Sequence, residues 1–193
     1  MANLRNSKIQ IAGRGHVYYA VPDMEAPNLD GYVFGDGTTL ERDGWIWLGD
    51  TSSENLIEFE TDGGDPTTKR SWDRQNLRVI REAQTVSGTV NSINASGKDM
   101  ALAFPGGTYD ATTNSFTPSG TGESAQIAMM VVVEDGNEVG GIVFPSVDMQ
   151  GRLPSFSLEE FTEFPLPFNV LNSATTGAPW HWFAPRPRTT AGA

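Results

Sequence analysis

Residues 124–147 read SAQIAMMVVVEDGNEVGGIVFPSV. Two runs rich in Val, Ile and Met, Ser124–Glu134 and Glu138–Val147, flank Asp135-Gly136-Asn137. Branched side chains favour the pleated strand, and Asp-Gly-Asn supplies the left-handed backbone that closes a tight hairpin. The spacing therefore predicts an antiparallel hairpin, the strongest in the chain. Its longest apolar stretch, Ile127–Val133, has seven residues, against about 20 needed to span a bilayer.

The same punctuation continues on both sides. The chain of 193 residues contains 21 Gly and 12 Pro, which favours short strands and turns over long helices. Downstream, Phe164–Leu171 alternates with Leu166, Phe168 and Val170 on one face, and Pro165 and Pro167 restrict it to an edge or a bulge. Phe156–Glu163 fits a strand or a helix, and Thr189–Ala193 is expected to be a disordered tail. Upstream, Asn94–Phe104 is the one helix, capped by Ser96 and stopped by Pro105-Gly106-Gly107. Tyr109–Phe116 is expected to be a strand, followed by a loose connection Thr117–Gly122.

Further upstream, Asn76–Ala83 and Gln84–Ile93 fit strands, the second with Thr85, Ser87, Thr89 and Asn91 on one face. A strand that polar on one side is half solvated or lines something wet. Leu56–Thr61 puts Ile57 and Phe59 opposite Glu58 and Glu60 before a turn at Thr61–Pro66. Trp45–Leu48 is a short strand, and Ser7–Ala12 and His16–Val21 are expected to join at Gly13-Arg14-Gly15. Pro22–Gly44, with Asp23, Glu25, Asp30, Asp36, Glu41 and Asp43, lacks periodicity and is expected to be a long acidic loop or arm. Without repeats or a clear boundary, residues 1–193 are expected to form a single, mainly β domain, sandwich- or barrel-like, with one short helix and extended arms. A domain of this length buries roughly 70% of its unfolded surface and needs no staple.

Composition excludes several chemistries. The chain has no Cys, so it has neither disulfides nor thiolate sites, and its two His make a multi-histidine metal centre improbable. With 13 Lys and Arg against 24 Asp and Glu, the formal charge is −11; a sequence-reading nucleic-acid binder needs the opposite sign. Neither a secretion signal nor a membrane span is expected.

Candidate chemical groups have ordinary alternatives. Glu58/Glu60 and Glu159/Glu160 resemble the paired carboxylates of a glycoside hydrolase, yet sequence neighbours do not set the roughly 5–9 Å separation that reaction needs. In an acidic chain, a solvated face accounts for them. Asp62-Gly63-Gly64-Asp65 and Gly35-Asp36-Gly37 resemble parts of a Ca²⁺ loop without its spacing, and turn chemistry explains both. His16 and His181 lack a G-x-S-x-G partner, so core or interface roles are expected. Trp45/Trp47 and Trp180/Trp182 are i, i+2 pairs that project from one strand face, with Trp72 alone. Such pairs suit a sugar-stacking platform, a subunit interface or a core.

Several ordered signposts carry a resemblance: Trp45-Ile46-Trp47-Leu48-Gly49-Asp50-Thr51, Phe59–Gly64 with Ser71-Trp72-Asp73, Asn94–Phe104 ending in Pro105-Gly106-Gly107, and Ile142–Pro145 leading to Ser157–Glu160 and Phe164–Leu171. In their order and spacing the chain resembles the major tail proteins of long-tailed, non-contractile phages, actinobacteriophage type. The resemblance implies a β-sandwich subunit that closes into hexameric rings, which stack into a tail tube whose lumen passes DNA. It implies a virion protein, assembled in the host cytoplasm, with no enzymatic activity and no catalytic, cofactor or metal residues. The implied partners are other copies of the chain and the tail-tip initiator, tape measure and tail terminator proteins. A long loop and a terminal arm of such proteins reach the adjacent ring; by position the candidates are 22–44, 49–75 and 179–193. An acidic lumen suits the charge, because it repels phosphate and lets DNA slide. The alternatives are a carbohydrate-binding β-sandwich using the Trp pairs, or an acidic hydrolase.

Overall fold

The 125–149 hairpin anchors the molecule. In the computed structural model, Asp135 pairs with Glu138 across a two-residue turn, with Gly136 at a φ of 60°, the left-handed conformation a tight hairpin turn needs. Described are residues 12–29, 32, 41–74, 78–94, 96–154, 156, 158 and 161–187. In chain order the strands are β1 Arg14–Ala20, β2 Ile46–Trp47, β3 Glu58–Asp62, β4 Pro66–Lys69, β5 Arg78–Arg81 and β6 Thr85–Ser92. Helix α1 (Gly97–Ala103) follows, then β7 Thr108–Asp110, β8 Ser115–Thr117, β9 Ala125–Asp135, β10 Glu138–Met149, β11 Phe164–Leu171 and β12 His181–Pro187. Among the described residues the protein is mainly β, with one short α-helix and antiparallel pairings.

The main sheet runs β2-β1-β9-β10-β11-β6-β3, with β12 also on β10. It curls strongly. The rings of Phe59 (β3) and Phe144 (β10) lie 5.4 Å apart, although three strand spacings, about 14 Å, separate those strands in a flat sheet. Backbone bonds after β2 complete the curl. Leu48 N–H donates to the Val17 carbonyl on β1, Ser52 N–H to Asn91, and Ile93 N–H to Asp50. Thr51 also bridges Ser92 of β6. Residues 46–52 thus join β1 to β6 and give the sandwich-like sheet its barrel-like closure.

Alternation along β1, β9 and β10 fills two cores. Val17, Met129, Val131, Phe144 and Val147 point inward, against Val90 of β6 and Leu166 and Phe168 of β11. Tyr18, Met130, Val132 and Val143 point the other way and are covered by Leu29, Tyr32 and Trp45. The central strands therefore read as nearly continuous apolar runs because both faces are buried.

Several expectations are corrected. β11 lies between β10 and β6 rather than at the margin of the sheet. The β10 ladder covers only Phe168–Leu171, so among the described strands the half that carries Pro165 and Pro167 pairs with β6 alone and is an edge locally. Its prolines are tolerated because the Pro167 carbonyl accepts from Gln150 N–H just past the end of β10. Pro165 and Pro167 therefore direct their missing donors away from the β6 ladder, which uses Phe164, Leu166 and Phe168. Tyr109–Phe116 is a hairpin, β7–β8. Asp110 accepts from Thr112 N–H at 2.8 Å, and Asn114 sits at a φ of 50°, which turns the chain. Arg14 and Gly15 already belong to β1, paired with Glu134 and Val133, rather than to a turn. α1 starts at Gly97, with the Ser96 side chain accepting from Asp99 N–H as the expected cap.

Residues 49–75 comprise the closing segment, β3 and β4. Past Gly63 and Gly64, both at positive φ, β4 and β5 form a separate two-stranded ribbon with every side chain exposed. A Cβ at Gly63 would lie 2.6 Å from the Ala83 carbonyl oxygen, so the kink requires glycine there. Of residues 179–193, the stretch 181–187 is β12, hydrogen-bonded along β10. Ser7–Ile11, most of the 30–40 part of the acidic arm, and 189–193 lie outside the described residues, as do Gly35-Asp36-Gly37, Ser157 and Glu159/Glu160.

Candidate functional site

The outward face of β3, β6 and β11 is polar. On β6, Val90 and Ser92 are buried while Ser87, Thr89 and Asn91 face outward, the wet face that their alternation predicts. On β3, Phe59 packs inward on Phe144 and Phe168, leaving Glu58 and Glu60 in solvent. With Glu54, Arg152 and Asn169 these residues line an open groove of about 640 Å³, where three carboxylates face one guanidinium. Glu58 and Glu60 stand side by side in open water, whereas an acid–base pair needs one carboxyl desolvated. Asp62 accepts from the adjacent Gly63 N–H at 2.8 Å, and the turn itself rests on the positive φ of Gly63 and Gly64. Among the described residues, no three His, Asp or Glu side chains converge as a metal ligand set.

The tryptophan pairs separate. Trp45 and Trp47 do share a face, but it packs on the second core. Trp45 is fully buried, its indole donating to the Glu25 carbonyl at 3.0 Å, and Trp47 is half-buried against His16. No platform exists there; the arm before β2 covers it. Trp180 and Trp182, beside and on β12, remain exposed. Trp72, at the tip of the β4–β5 ribbon, is completely exposed.

His16 lies in a core network, 2.6 Å from the Tyr32 hydroxyl, which is itself 2.7 Å from the Tyr18 hydroxyl. Burial pushes the imidazole below its ordinary value of 6.5, with Arg14 adding to the effect and Asp50 and Glu134 opposing it. The unfolded chain then takes up this proton first as pH falls. Stability from this group is complete above pH 6.5 and declines as pH drops toward the folded value. Thermal melts across about pH 8 to 5 are expected to show this decline in the unmodified chain. His16→Gln is expected to flatten it, and an unchanged slope would refute the assignment.

The residues to which sequence reasoning gave no site role are apolar and exposed: Leu153, Phe156, Leu158 and Phe161 between β10 and β11, and Val79 and Ile80 on the ribbon. For the ribbon, the available signal was the clustering of five cations between residues 69 and 81, on a chain otherwise short of them.

A closed β-scaffold with a polar outer face and protruding, exposed elements is the build of a structural subunit, and the comparisons agree. The phage tail tube protein family matches the whole chain, residues 1–193, and the chain belongs to that family. It is a structural component of a phage tail, and so of the virion. It is similar to the major tail protein Gp23 of Mycobacterium phage D29, 31% identical over 130 residues that cover 65% of each chain. It is also similar to the Gp23 major tail protein of Mycobacterium phage L5, 29% identical over 94 residues. That match covers 49% of this chain and 47% of the L5 protein. The matched region thus spans from about half to just under two thirds of these curated relatives.

Proposed function

We propose that residues 1–193 act as one tube unit that associates into rings, hexameric in the simplest case, which stack into a tail tube around a DNA-conducting lumen. The polar, net acidic face of β3, β6 and β11 is the lumen wall. The observation that carries this reading is that face itself: exposed Glu58 and Glu60 above a row of Ser87, Thr89 and Asn91, on strands whose apolar side chains, Val90, Leu166 and Phe168, turn inward. A wall of that kind holds water and repels phosphate, so DNA slides without binding. Ring closure uses strand edges such as that of β3, which among the described residues pairs with β6 alone. Growth starts on a tail-tip initiator in the host cytoplasm, around a tape measure protein, and stops at a terminator. The arms at 22–44, 49–75 and 179–193 contribute to contacts between rings.

Negative-stain electron microscopy of concentrated protein, with and without its tail-tip complex, tests this. Rings or tubes with a central channel are expected. Compact single particles in both conditions would remove the tube reading.

A further inference from the structure

The subunit is electrically polarised. Residues 66–81 hold five cations (Lys69, Arg70, Arg74, Arg78, Arg81) against Asp73 alone, a net +4. The remaining residues therefore carry eight cations and 23 carboxylates, a net −15. All these cations sit on the β4–β5 ribbon or its tip, and no ion pair joins any of them to a described carboxylate of the same chain. The register places Lys69 directly opposite Arg78, and like charges so placed destabilise a strand pair. A two-stranded ribbon is marginal in water even without such a pair. At its tip Trp72 is 104% exposed. The ribbon has the chemistry of an element completed by an anionic and apolar partner.

A surface of that chemistry lies at the other end of the barrel. The ribbon extends from the Asp62–Thr85 end of the β3–β6 pair. The eight residues of β6 carry the sheet roughly 26 Å away, to Ser92 opposite Phe164. Around that far end, Met100, Phe116, Leu153, Pro154, Phe156 and Phe164 line a groove of about 460 Å³. Phe156 is 84% exposed. The groove admits an indole, whose burial removes about 150–250 Å² from water. Directly before Phe164 in the chain comes Glu163, held by Asn55 Nδ2–H at 2.8 Å.

We infer that the ribbon tip of one copy docks in this groove on a second copy, with Trp72 entering the apolar cleft and Arg74 meeting Glu163, which precedes the groove's Phe164. The two surfaces occupy opposite ends of one barrel, so a ribbon cannot reach its own groove. The contact is head-to-tail and propagates rather than closing as a dimer. This inference rests on the tube reading and specifies the contact between successive rings.

The chain has no Cys, so introduced thiols report on this contact alone. A chain carrying Ser71→Cys and Leu153→Cys, both at exposed positions, is assembled, oxidised and run on a non-reducing gel. A ladder of dimers, trimers and longer species is expected, with each single-Cys variant going no further than a dimer. Tubes without a ladder would overturn the contact and leave the tube reading standing; an unmodified chain that never forms tubes would overturn the tube reading itself. In parallel, Trp72→Ala is expected to cut tube yield at least about tenfold, with the far-ultraviolet circular dichroism of the monomer unchanged. Arg74→Glu is expected to block growth, and adding Glu163→Arg to the same chain to restore yield to within about twofold. Wild-type yield from Trp72→Ala, or no rescue by the swap, would refute the docking.

Discussion

Trp45→Ala is expected to destabilise the folded subunit by about 3–5 kcal/mol. The indole is wholly buried among Tyr18, Leu29, Tyr32 and Met130, and it donates to the Glu25 carbonyl. Truncation opens a cavity that β1 and β9, paired throughout, cannot close. It also leaves the Glu25 carbonyl without its indole donor. Domains of this size lose about 2–4 °C per kcal/mol, so the melting temperature is expected to fall by roughly 10 °C. Trp182→Ala is the control, because that ring is 57% exposed on β12. Its change is expected to stay within about 1 kcal/mol. Equal losses from the two substitutions, measured by thermal melts, would mean that the tryptophan pairs are not divided between core and surface.

That division was only half legible in the sequence. Alternation correctly placed Trp45 and Trp47 on one face. It could not say which face the arm before β2 covers, because a cover is a tertiary fact. The same limit applies elsewhere. The 125–149 hairpin and β11 were legible because branched and aromatic side chains repeat at period two between turn residues. The position of β11 between β10 and β6 was not, since tolerance of Pro167 depends on where β10 ends. Barrel closure through Leu48, Thr51 and Ser52 uses main-chain bonds, which leave no side-chain pattern. Reading Tyr109–Phe116 as one strand overlooked a polar turn, whose signal was Asp110 followed by Asn114. The polar face of β6 was legible from Thr85 to Asn91. Its junction with Glu58 and Glu60 follows from the register Glu58↔Thr89 and Glu60↔Ser87, which pairs two segments separated by the whole ribbon.

The second large effect concerns that junction. Glu58→Lys with Glu60→Lys is expected to leave subunit folding and tube formation intact while arresting DNA passage. Both side chains are exposed on the outer face of β3, so the exchange disturbs no packing. Four units of charge change per copy, and ring symmetry repeats that change around the lumen. Ammonium groups facing phosphate release counterions and hold the duplex, where carboxylates repel it. Ejection from assembled virions is expected to slow at least about tenfold at low salt and to recover as salt rises, because this attraction is screened. Glu58→Gln with Glu60→Gln removes the repulsion without adding attraction and is expected to lie between the two. The readout is dye-detected DNA release over time at several salt concentrations. Release from the double-Lys virions at the unmodified rate and salt dependence would place β3 away from the channel, and the lumen wall would then have to be sought on another face of the barrel.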